Sequence, residues 1–424
     1  MAGLLSRDRQ RPFLALLCAI LITTSSSRAQ YLENLPINHP AIQYLQGSLN
    51  DPAARLNRLL ESGKIKLEFR EGGLGYLPSV LEHLGVNPDS QALVFSKTSF
   101  QAARISPHNP RAIYFNDDVA VGWVRGGDGL EVAALDPRQG VNFYTLNTSK
   151  TGQPGLARRD VCLHCHQGPA TAGVPGIFVG SVFPDSSGMP QRLGAIITDH
   201  RTLFADRWGG WFVTATRGEQ RDRANAFASD PELPDVLQTD GRQNLSSLAR
   251  EFDTKGYLTP LSDIVGLMTF EHQTQMTNLI TRSGWEARIA QHDAQSGATL
   301  EALVTYMLFA DEVPLPEPIQ GVSTFTQTFP QRGPRDRQGR SLRDFDLHTR
   351  LFRYPLSYMV YSAAFNALPS VVRERVYQRL YDVLTGGDQS KKFTNLSKED
   401  RRSIFEILRD TKPDLPGYWA AFTR

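Results

Sequence analysis

The chain has 424 residues, of which 40% are hydrophobic, and its 46 basic residues nearly balance its 44 acidic ones. A balanced charge excludes the strongly basic composition that is typical of proteins binding nucleic acid through its phosphates. The length is sufficient for two or three domains, or for one large domain with a sizeable core.

The first 29 residues predict a secretory signal peptide. Three arginines precede ten consecutive apolar residues, 13–22, and small residues lie before a cleavage position that we expect after Ala29. Ten apolar residues are too few to span a bilayer, and no later segment is long and apolar enough. The mature protein is therefore expected to be periplasmic or secreted, with no membrane span. Cleavage removes Cys18 and leaves 42 basic and 43 acidic residues.

Residues 30–150 predict N-terminal helices followed by a β-rich module. Apolar residues recur at helical spacing up to Asn87-Pro88, and the pattern then changes to short apolar runs divided by turn residues. The predicted helices are residues 41–49, 53–62 and 77–84. The predicted strands, which we expect to form an antiparallel meander, are residues 92–95, 112–115, 119–124, 130–135 and 141–146.

The most specific pattern in the chain is the run Cys162-Leu163-His164-Cys165-His166. This C-x-x-C-H run is the attachment signature of a c-type haem, in which two thiols bond the porphyrin and the following imidazole ligates the iron. A structural zinc site and a disulfide are the alternatives. Zinc needs four N or S ligands, yet the sequence has no second C-x-x-C and no H-x3–5-H pair, and a disulfide has no need of His166. Haem is favoured, and export agrees with it, because covalent attachment in bacteria occurs outside the cytoplasm.

Residues 151–220 are expected to form the haem-attachment segment. The Gly- and Pro-rich residues 168–190 predict a loop along the edge of the cofactor, and apolar runs at 193–197 and 211–216 follow it. The latter run begins at the end of Arg207-Trp208-Gly209-Gly210-Trp211. Guanidinium and indole N–H groups are good donors to haem propionates, and packing or turn roles are the alternative for these residues.

Residues 221–424 predict a mainly helical region. An irregular stretch, 313–343, interrupts the helical pattern. Between Arg332 and Arg353 the chain has seven arginines against three aspartates, which indicates either a docking patch for an acidic redox partner or a solvated loop. The predicted helices are residues 261–288, 300–310, 358–368, 371–384 and 398–411.

Two residues are candidates for the sixth iron ligand. Met189, in Gly188-Met189-Pro190, is placed as in the distal loop of small cytochromes c, although it lies only 23 residues after His166, closer than those proteins place it. His272 lies in an apolar helical stripe, where its ring nitrogens need a partner, either iron or, in a core histidine, a backbone carbonyl. The stripe consists of Val265, Met268, His272, Met276 and Leu279.

The coordination of the iron separates three functions. A sixth ligand from Met or His closes the iron and leaves electron transfer as its task. If His272 stands off the iron, it offers with Glu271 an acid–base group beside an open site, which permits peroxidase- or oxygenase-like chemistry on peroxide or a small organic substrate. A haem-based ligand sensor is the third alternative, so the sequence leaves an enzymatic role open.

The segment from Cys162 to His166 resembles that of c-type cytochromes, which implies one covalently attached haem c with His166 on the iron. The whole chain, including residues 207–211 and 342–347, resembles large exported bacterial cytochrome-c-like proteins of unassigned activity. We therefore expect an α+β protein whose haem lies between a β-rich N-terminal half and a mostly helical C-terminal half. Electron transfer with a periplasmic redox partner protein is the leading function.

Overall fold

The computed structural model describes residues 33–147, 154–192, 194–228, 237–238, 241–290 and 297–421. The predicted signal peptide, residues 1–29, lies outside them. The strands are β1 (Ala92–Val94), β2 (Arg111–Phe115), β3 (Val119–Trp123), β4 (Gly129–Asp136), β5 (Gly140–Asn147), β6 (Ala157–Arg158), β7 (Val179–Ser181), β8 (Ile196–Thr198), β9 (Trp211–Phe212), β10 (Phe227–Ala228) and β11 (Leu237–Gln238).

A seven-stranded antiparallel sheet is the centre of the fold, with strand order β6-β5-β4-β3-β2-β1-β9. Strands β1 to β5 follow one another as a meander, so the predicted meander is confirmed. The short strands β6 and β9 extend the two edges, and β6 lies just before the C-x-x-C-H run in the chain.

Helices cover both faces of this sheet, and the mixed α+β class expected from the sequence is confirmed. The N-terminal helices are short, whereas the longest helices come from the C-terminal half. The helices are α1 (Pro52–Glu61), α2 (Leu77–His83), α3 (Leu163–His166), α4 (Ile264–Ile289), α5 (Gly297–Met307), α6 (Phe325–Thr328), α7 (Ala363–Asn366), α8 (Ser370–Thr385), α9 (Lys398–Thr411) and α10 (Tyr418–Ala421).

The two faces of the sheet belong to two hydrophobic clusters. On β2, Ala112 and Tyr114 pack with residues of α1 and α2, whereas Ile113 and Phe115 pack with α4. This alternation follows from the pleat, which sends successive side chains to opposite faces. Because both faces are covered, the strands read as continuous apolar runs, and every residue of β3 is buried.

Helix α4 is the main element of the larger cluster. Its N-terminus is capped by Asp263, whose side chain accepts a hydrogen bond from the Val265 backbone. Most of its side chains are buried, including the polar Glu271 and His272. The five residues of the predicted stripe are buried, and so is most of the rest of this helix, which is enclosed by the sheet and by other helices on nearly all sides.

Three local predictions are wrong. Residues 358–368 form a 3₁₀ turn (Tyr358–Tyr361) and the short helix α7 rather than one helix, because Ser362 between them is extended and caps α7. Residues 41–49 form turns rather than a helix, because Gln43 adopts a left-handed backbone conformation at φ 52° and the Tyr44 hydroxyl donates to the Val141 carbonyl at 2.7 Å. Residues 168–190 are not only a loop, since they contain β7, which pairs with β8. Among the described residues, no helix is both long enough and apolar enough to cross a membrane.

Candidate functional site

The C-x-x-C-H run lies at one edge of the large sheet, shortly after β6. A 3₁₀ turn (Asp160–Cys162) leads into the one-turn helix α3, so both cysteines and His166 occupy successive turns. Cys162 is half-buried and packs against the main core, whereas Cys165 is exposed, and both are free thiols. The two sulfur atoms are thus available to a group that lies against this surface.

The ring of His166 is held in one orientation. Its Nδ1 lies 3.0 Å from the carbonyl oxygen of Gly176, and its ring packs against Phe143 of β5 and Phe178, with centroids 4.8 and 5.7 Å away. A carbonyl can only accept, so Nδ1 carries the proton and Nε2 keeps its lone pair. Burial lowers the pKa of His166, which favours the neutral imidazole that a metal requires.

The segment that carries this carbonyl is fixed to α4. The Gly176 backbone N–H donates to the His166 carbonyl at 2.9 Å, and the Asn278 side chain donates to the Ile177 carbonyl at 3.0 Å. A Cβ at Gly176 would lie 2.0 Å from Asn278 Oδ1, so only glycine permits this close approach. The orientation of His166 therefore depends on a residue more than a hundred positions away.

These residues fit a covalently attached haem on three counts. The two thiols are unbonded, the imidazole is neutral, and its second nitrogen is directed by a backbone carbonyl. Orientation of a metal-ligating histidine by a hydrogen bond at its other ring nitrogen is the usual arrangement in metal sites.

Met189 lies far across the sheet from His166. Its backbone is held in a turn by Asp185, and the Gly188 carbonyl accepts from Lys97, just beyond β1. Four strand spacings of about 4.8 Å separate β1 from β5, roughly 19 Å in total. Met189 is 48% exposed and would have to move a long way to share an iron atom with His166. Its role as sixth ligand stays a prediction that this arrangement does not favour.

His272 has both ring nitrogens occupied. Its Nδ1 lies 3.0 Å from Nδ1 of His200, and its Nε2 lies 2.8 Å from the Ser357 hydroxyl. Its ring stacks on Phe309 at 4.3 Å and is fully buried, and burial holds its pKa well below the usual value. Ligation of iron would require one of these hydrogen bonds to break. The role of His272 stays a prediction, and the geometry favours a core histidine whose partners are side chains rather than a carbonyl.

The segment Arg207-Trp208-Gly209-Gly210-Trp211 uses its donors inside the protein. Trp208 donates to Glu271 Oε1 at 2.9 Å, Arg207 lies 3.5 Å from Glu271 Oε2, and Trp211 donates to the Gly180 carbonyl at 2.8 Å. Burial raises the pKa of Glu271 to about 7, and the Arg207 charge opposes this rise. These contacts favour the packing interpretation over donation to haem propionates.

The arginine-rich stretch between Arg332 and Arg353 is largely neutralised. Six of its seven arginines form ion pairs with carboxylates, one of them, Arg343 with Asp117, joining this stretch to the loop after β2. Most of these arginines are therefore paired with carboxylates of the protein itself, which gives no support to the docking-patch interpretation.

Two features of the site were missed from the sequence. The pairing of His200 with His272 carries no local signal, because the two residues are 72 positions apart. A charged pair formed by Arg111 and Glu131 lies on the sheet beside the run. Glu131 could have been noticed, since it interrupts the apolar run of β4 between Leu130 and Val132.

No zinc-type cluster accompanies the run in the part of the chain that the structure describes, where no three or more His, Cys, Asp or Glu residues are placed to hold a metal ion. Comparison with family models, with curated proteins and with solved structures finds no match to this chain. Any functional conclusion therefore depends on the chemistry of the site itself.

Proposed function

We propose that this protein is an exported c-type cytochrome with a single haem, which transfers electrons to or from a periplasmic partner. Cys162 and Cys165 would form the thioether bonds, and His166 would be the proximal ligand. When bound, the haem iron supplies a reversible one-electron couple. The observation that carries the proposal is the hydrogen bond from His166 Nδ1 to the Gly176 carbonyl, which leaves Nε2 as the ligating nitrogen.

The polypeptide has three tasks in this proposal. The sheet edge presents both thiols without bonding them to each other. The Gly176 carbonyl fixes the tautomer and orientation of His166, and Phe143 and Phe178 exclude water from one side of its ring.

The test is to produce the mature chain in a host with haem-attachment machinery and to record its intact mass and its absorption spectrum. We expect the mass of one added haem and a Soret band. Cys162→Ser and Cys165→Ser should lose the covalent attachment, and His166→Ala should lose the ligand field of the imidazole. His164→Ala is the matched control, since His164 is exposed and its ring contacts the nearby Val161 carbonyl. A wild-type mass without haem would refute the proposal.

A haem enzyme or ligand sensor is the second candidate, and one observation favours it. Ligation of iron by His272 would require one of its two ring hydrogen bonds to break, and Met189 is in a turn bonded to the chain just beyond β1, whereas the His166 ring packs on β5. Electron transfer predicts a low-spin iron that does not bind carbon monoxide, whereas the second candidate predicts a high-spin iron that does. Met189→Ala and His272→Ala assign the ligand: a low-spin spectrum unchanged in both would remove both candidates.

A further inference from the structure

The face of the large sheet that packs on α4 is partly exposed to solvent beside the C-x-x-C-H run. The register places Gly122, Glu131 and Thr145 side by side on β3, β4 and β5, and we call these three residues the open row. Leu135 is four residues after Glu131, and Phe143 is two residues before Thr145. Both lie in the core on the α4 side, so Glu131 and Thr145 face this side too. The Glu131 side chain is 19% exposed, so the described helices do not cover the open row completely.

Arg111 of β2 extends its side chain across the open row. Its Nη2 forms an ion pair with Glu131, and the guanidinium lies directly over Gly122, where a Cβ would come within 2.4 Å of Nη2. Ser99 and Gln101 donate to the other oxygen of Glu131, at 3.3 and 3.0 Å. Glu131 is thereby held from two sides, and it aims the guanidinium along the row towards the run.

The guanidinium retains donors that Glu131 does not use. Arg111 Nε is buried and has no hydrogen-bond partner among the described residues. That nitrogen is covered by the protein, and the outer part of the guanidinium stays accessible, since the Arg111 side chain is 22% exposed. A guanidinium presents its donors in a planar fork that suits a carboxylate, and a second carboxylate would complete the set.

The open row is joined to the run by two hydrogen bonds. Arg159 Nε donates to the Thr145 hydroxyl at 2.8 Å, and the Cys162 backbone donates to the Arg159 carbonyl at 3.3 Å. Glu131 lies one strand spacing, about 4.8 Å, beyond Thr145. Its charge acts at the thiol: burial is the main cause of the raised pKa of Cys162, and Glu131 adds to it.

We propose that the guanidinium of Arg111 pairs with a propionate carboxylate of the attached haem, and that Glu131 is the residue that positions it. This inference rests on the proposed function, since it requires a haem bound through Cys162 and Cys165. The charge of Arg111 then stabilises the reduced, less positive iron relative to the oxidised one.

The test is a redox titration of the haem-loaded protein. Arg111→Met should shift the reduction equilibrium about tenfold towards the oxidised form, which corresponds to 59 mV lower potential for one electron. Arg111→Lys should retain most of the wild-type potential. Glu131→Gln should shift it upward, because the amide oxygen still accepts from the guanidinium and holds it in place but no longer offsets its charge. Loss of structure would not produce these opposite signs. Gly122→Ala should lower it, because the new Cβ displaces the guanidinium.

Arg104→Met is the control, because Arg104 is exposed and lies 3.5 Å from Asp128 in a surface ion pair. Resonance Raman bands of the propionate groups should move in Arg111→Met and stay unchanged in this control. If haem is attached and Arg111→Met has the potential of the wild type, the inference is overturned and the proposed function stands. If the wild type carries no haem, both fall.

Discussion

His166 lies at the partly exposed end of the large sheet, and His272 lies in the sealed core around α4. The two regions differ in which hydrogen-bonding groups they leave unpaired. The ring of His166 uses one nitrogen, with the Gly176 carbonyl, and makes no other hydrogen bond among the described residues. His272 uses both, with His200 and Ser357, and is fully buried. A histidine ligates a metal through a ring nitrogen that is free, and its other nitrogen is usually held by a hydrogen bond. The hydrogen bonds therefore distinguish the two histidines, although both imidazoles pack beside apolar rings.

The charged pairs of the two regions differ in the same way. Arg111 and Glu131 are 22% and 19% exposed, and Arg111 Nε has no hydrogen-bond partner in the part of the chain that the structure describes. Arg207 and Glu271 are 2% and 0% exposed and close a network with Trp208. A partly exposed pair can accept a further ligand, whereas a sealed pair stabilises the fold only as long as both partners are present.

The largest expected effect comes from removing His272. His272→Ala leaves a cavity in the core and unpairs His200 and Ser357, so we expect the free energy of unfolding to fall by about 4 kcal/mol. Denaturant unfolding followed by circular dichroism measures this loss. The spectrum of the attached haem should not change. His166→Ala should do the reverse and alter the haem spectrum strongly.

His272→Gln provides a folded comparison, because glutamine keeps a donor and an acceptor in the core. A folded His272→Gln protein that has lost a low-spin spectrum would identify His272 as the sixth ligand and would break the comparison between the two regions.

The next prediction concerns the buried ion pair between Arg207 and Glu271. Arg207→Met leaves Glu271 buried without its countercharge and also removes a hydrogen bond to the His200 carbonyl. We expect a loss of about 3 kcal/mol in the free energy of unfolding at pH 8. In the double variant Arg207→Met with Glu271→Gln, at least half of this loss should be recovered, because no buried charge remains. A double variant as unstable as the single one would contradict this account.

Gly176→Ala tests the link between the two regions. Its Cβ would lie 2.0 Å from Asn278 Oδ1, so either α4 or the His166 partner must move. We expect a loss of about 2 kcal/mol in the free energy of unfolding, as for overpacked sites, and a changed haem spectrum. The added variant Asn278→Ala removes the colliding atom and should restore the spectrum. Asn278→Ala alone is the control, because it also removes the hydrogen bond to the Ile177 carbonyl. A double variant whose spectrum differs from that of this control would show that the collision is not the cause.

Much of the fold could be predicted because its signals are local. The meander from β1 to β5 follows from short apolar runs separated by turn residues, and α8 and α9 follow from helical periodicity. The turns at residues 41–49 could not be distinguished from a helix, because they depend on the left-handed Gln43 and on a hydrogen bond from Tyr44 to β5. Contacts distant in sequence override a periodic pattern there.

The candidate site also combines features with a local sequence signal and features that depend on distant contacts. The C-x-x-C-H run is a local signal, and the residues that would anchor the haem are contiguous. The partner of His166, the pairing of His272 and the position of Arg111 over Gly122 all depend on tertiary packing. A helical stripe made His272 resemble a ligand, but a stripe does not reveal whether the nitrogens of a buried histidine already have partners.

The smallest effect concerns Glu312, which lies next to the sealed core. Its neighbour Val313 donates to the His200 carbonyl, and Glu312 itself accepts from the Leu351 backbone at 3.0 Å. Burial raises the pKa of Glu312 to about 7, the Arg350 and Arg207 charges oppose this rise, and Asp346 adds to it. The folded protein therefore keeps a proton that the unfolded chain releases above about pH 4.5. Stability should fall as the pH rises from 4.5 to 7.

Glu312→Gln removes this dependence, because the amide does not titrate. At pH 4, where the carboxyl is protonated in both states, the variant and the wild type should have equal free energies of unfolding. At pH 8 we expect the variant to be about 1–2 kcal/mol more stable, a value reduced from the full pKa shift because the group is not completely buried. Glu271 has a raised pKa too, so the slope of stability against pH should become shallower rather than vanish. A variant that loses stability at pH 8 would show that ionised Glu312 is held by its arginines, and that the sealed core tolerates a charge at its border as the open row does.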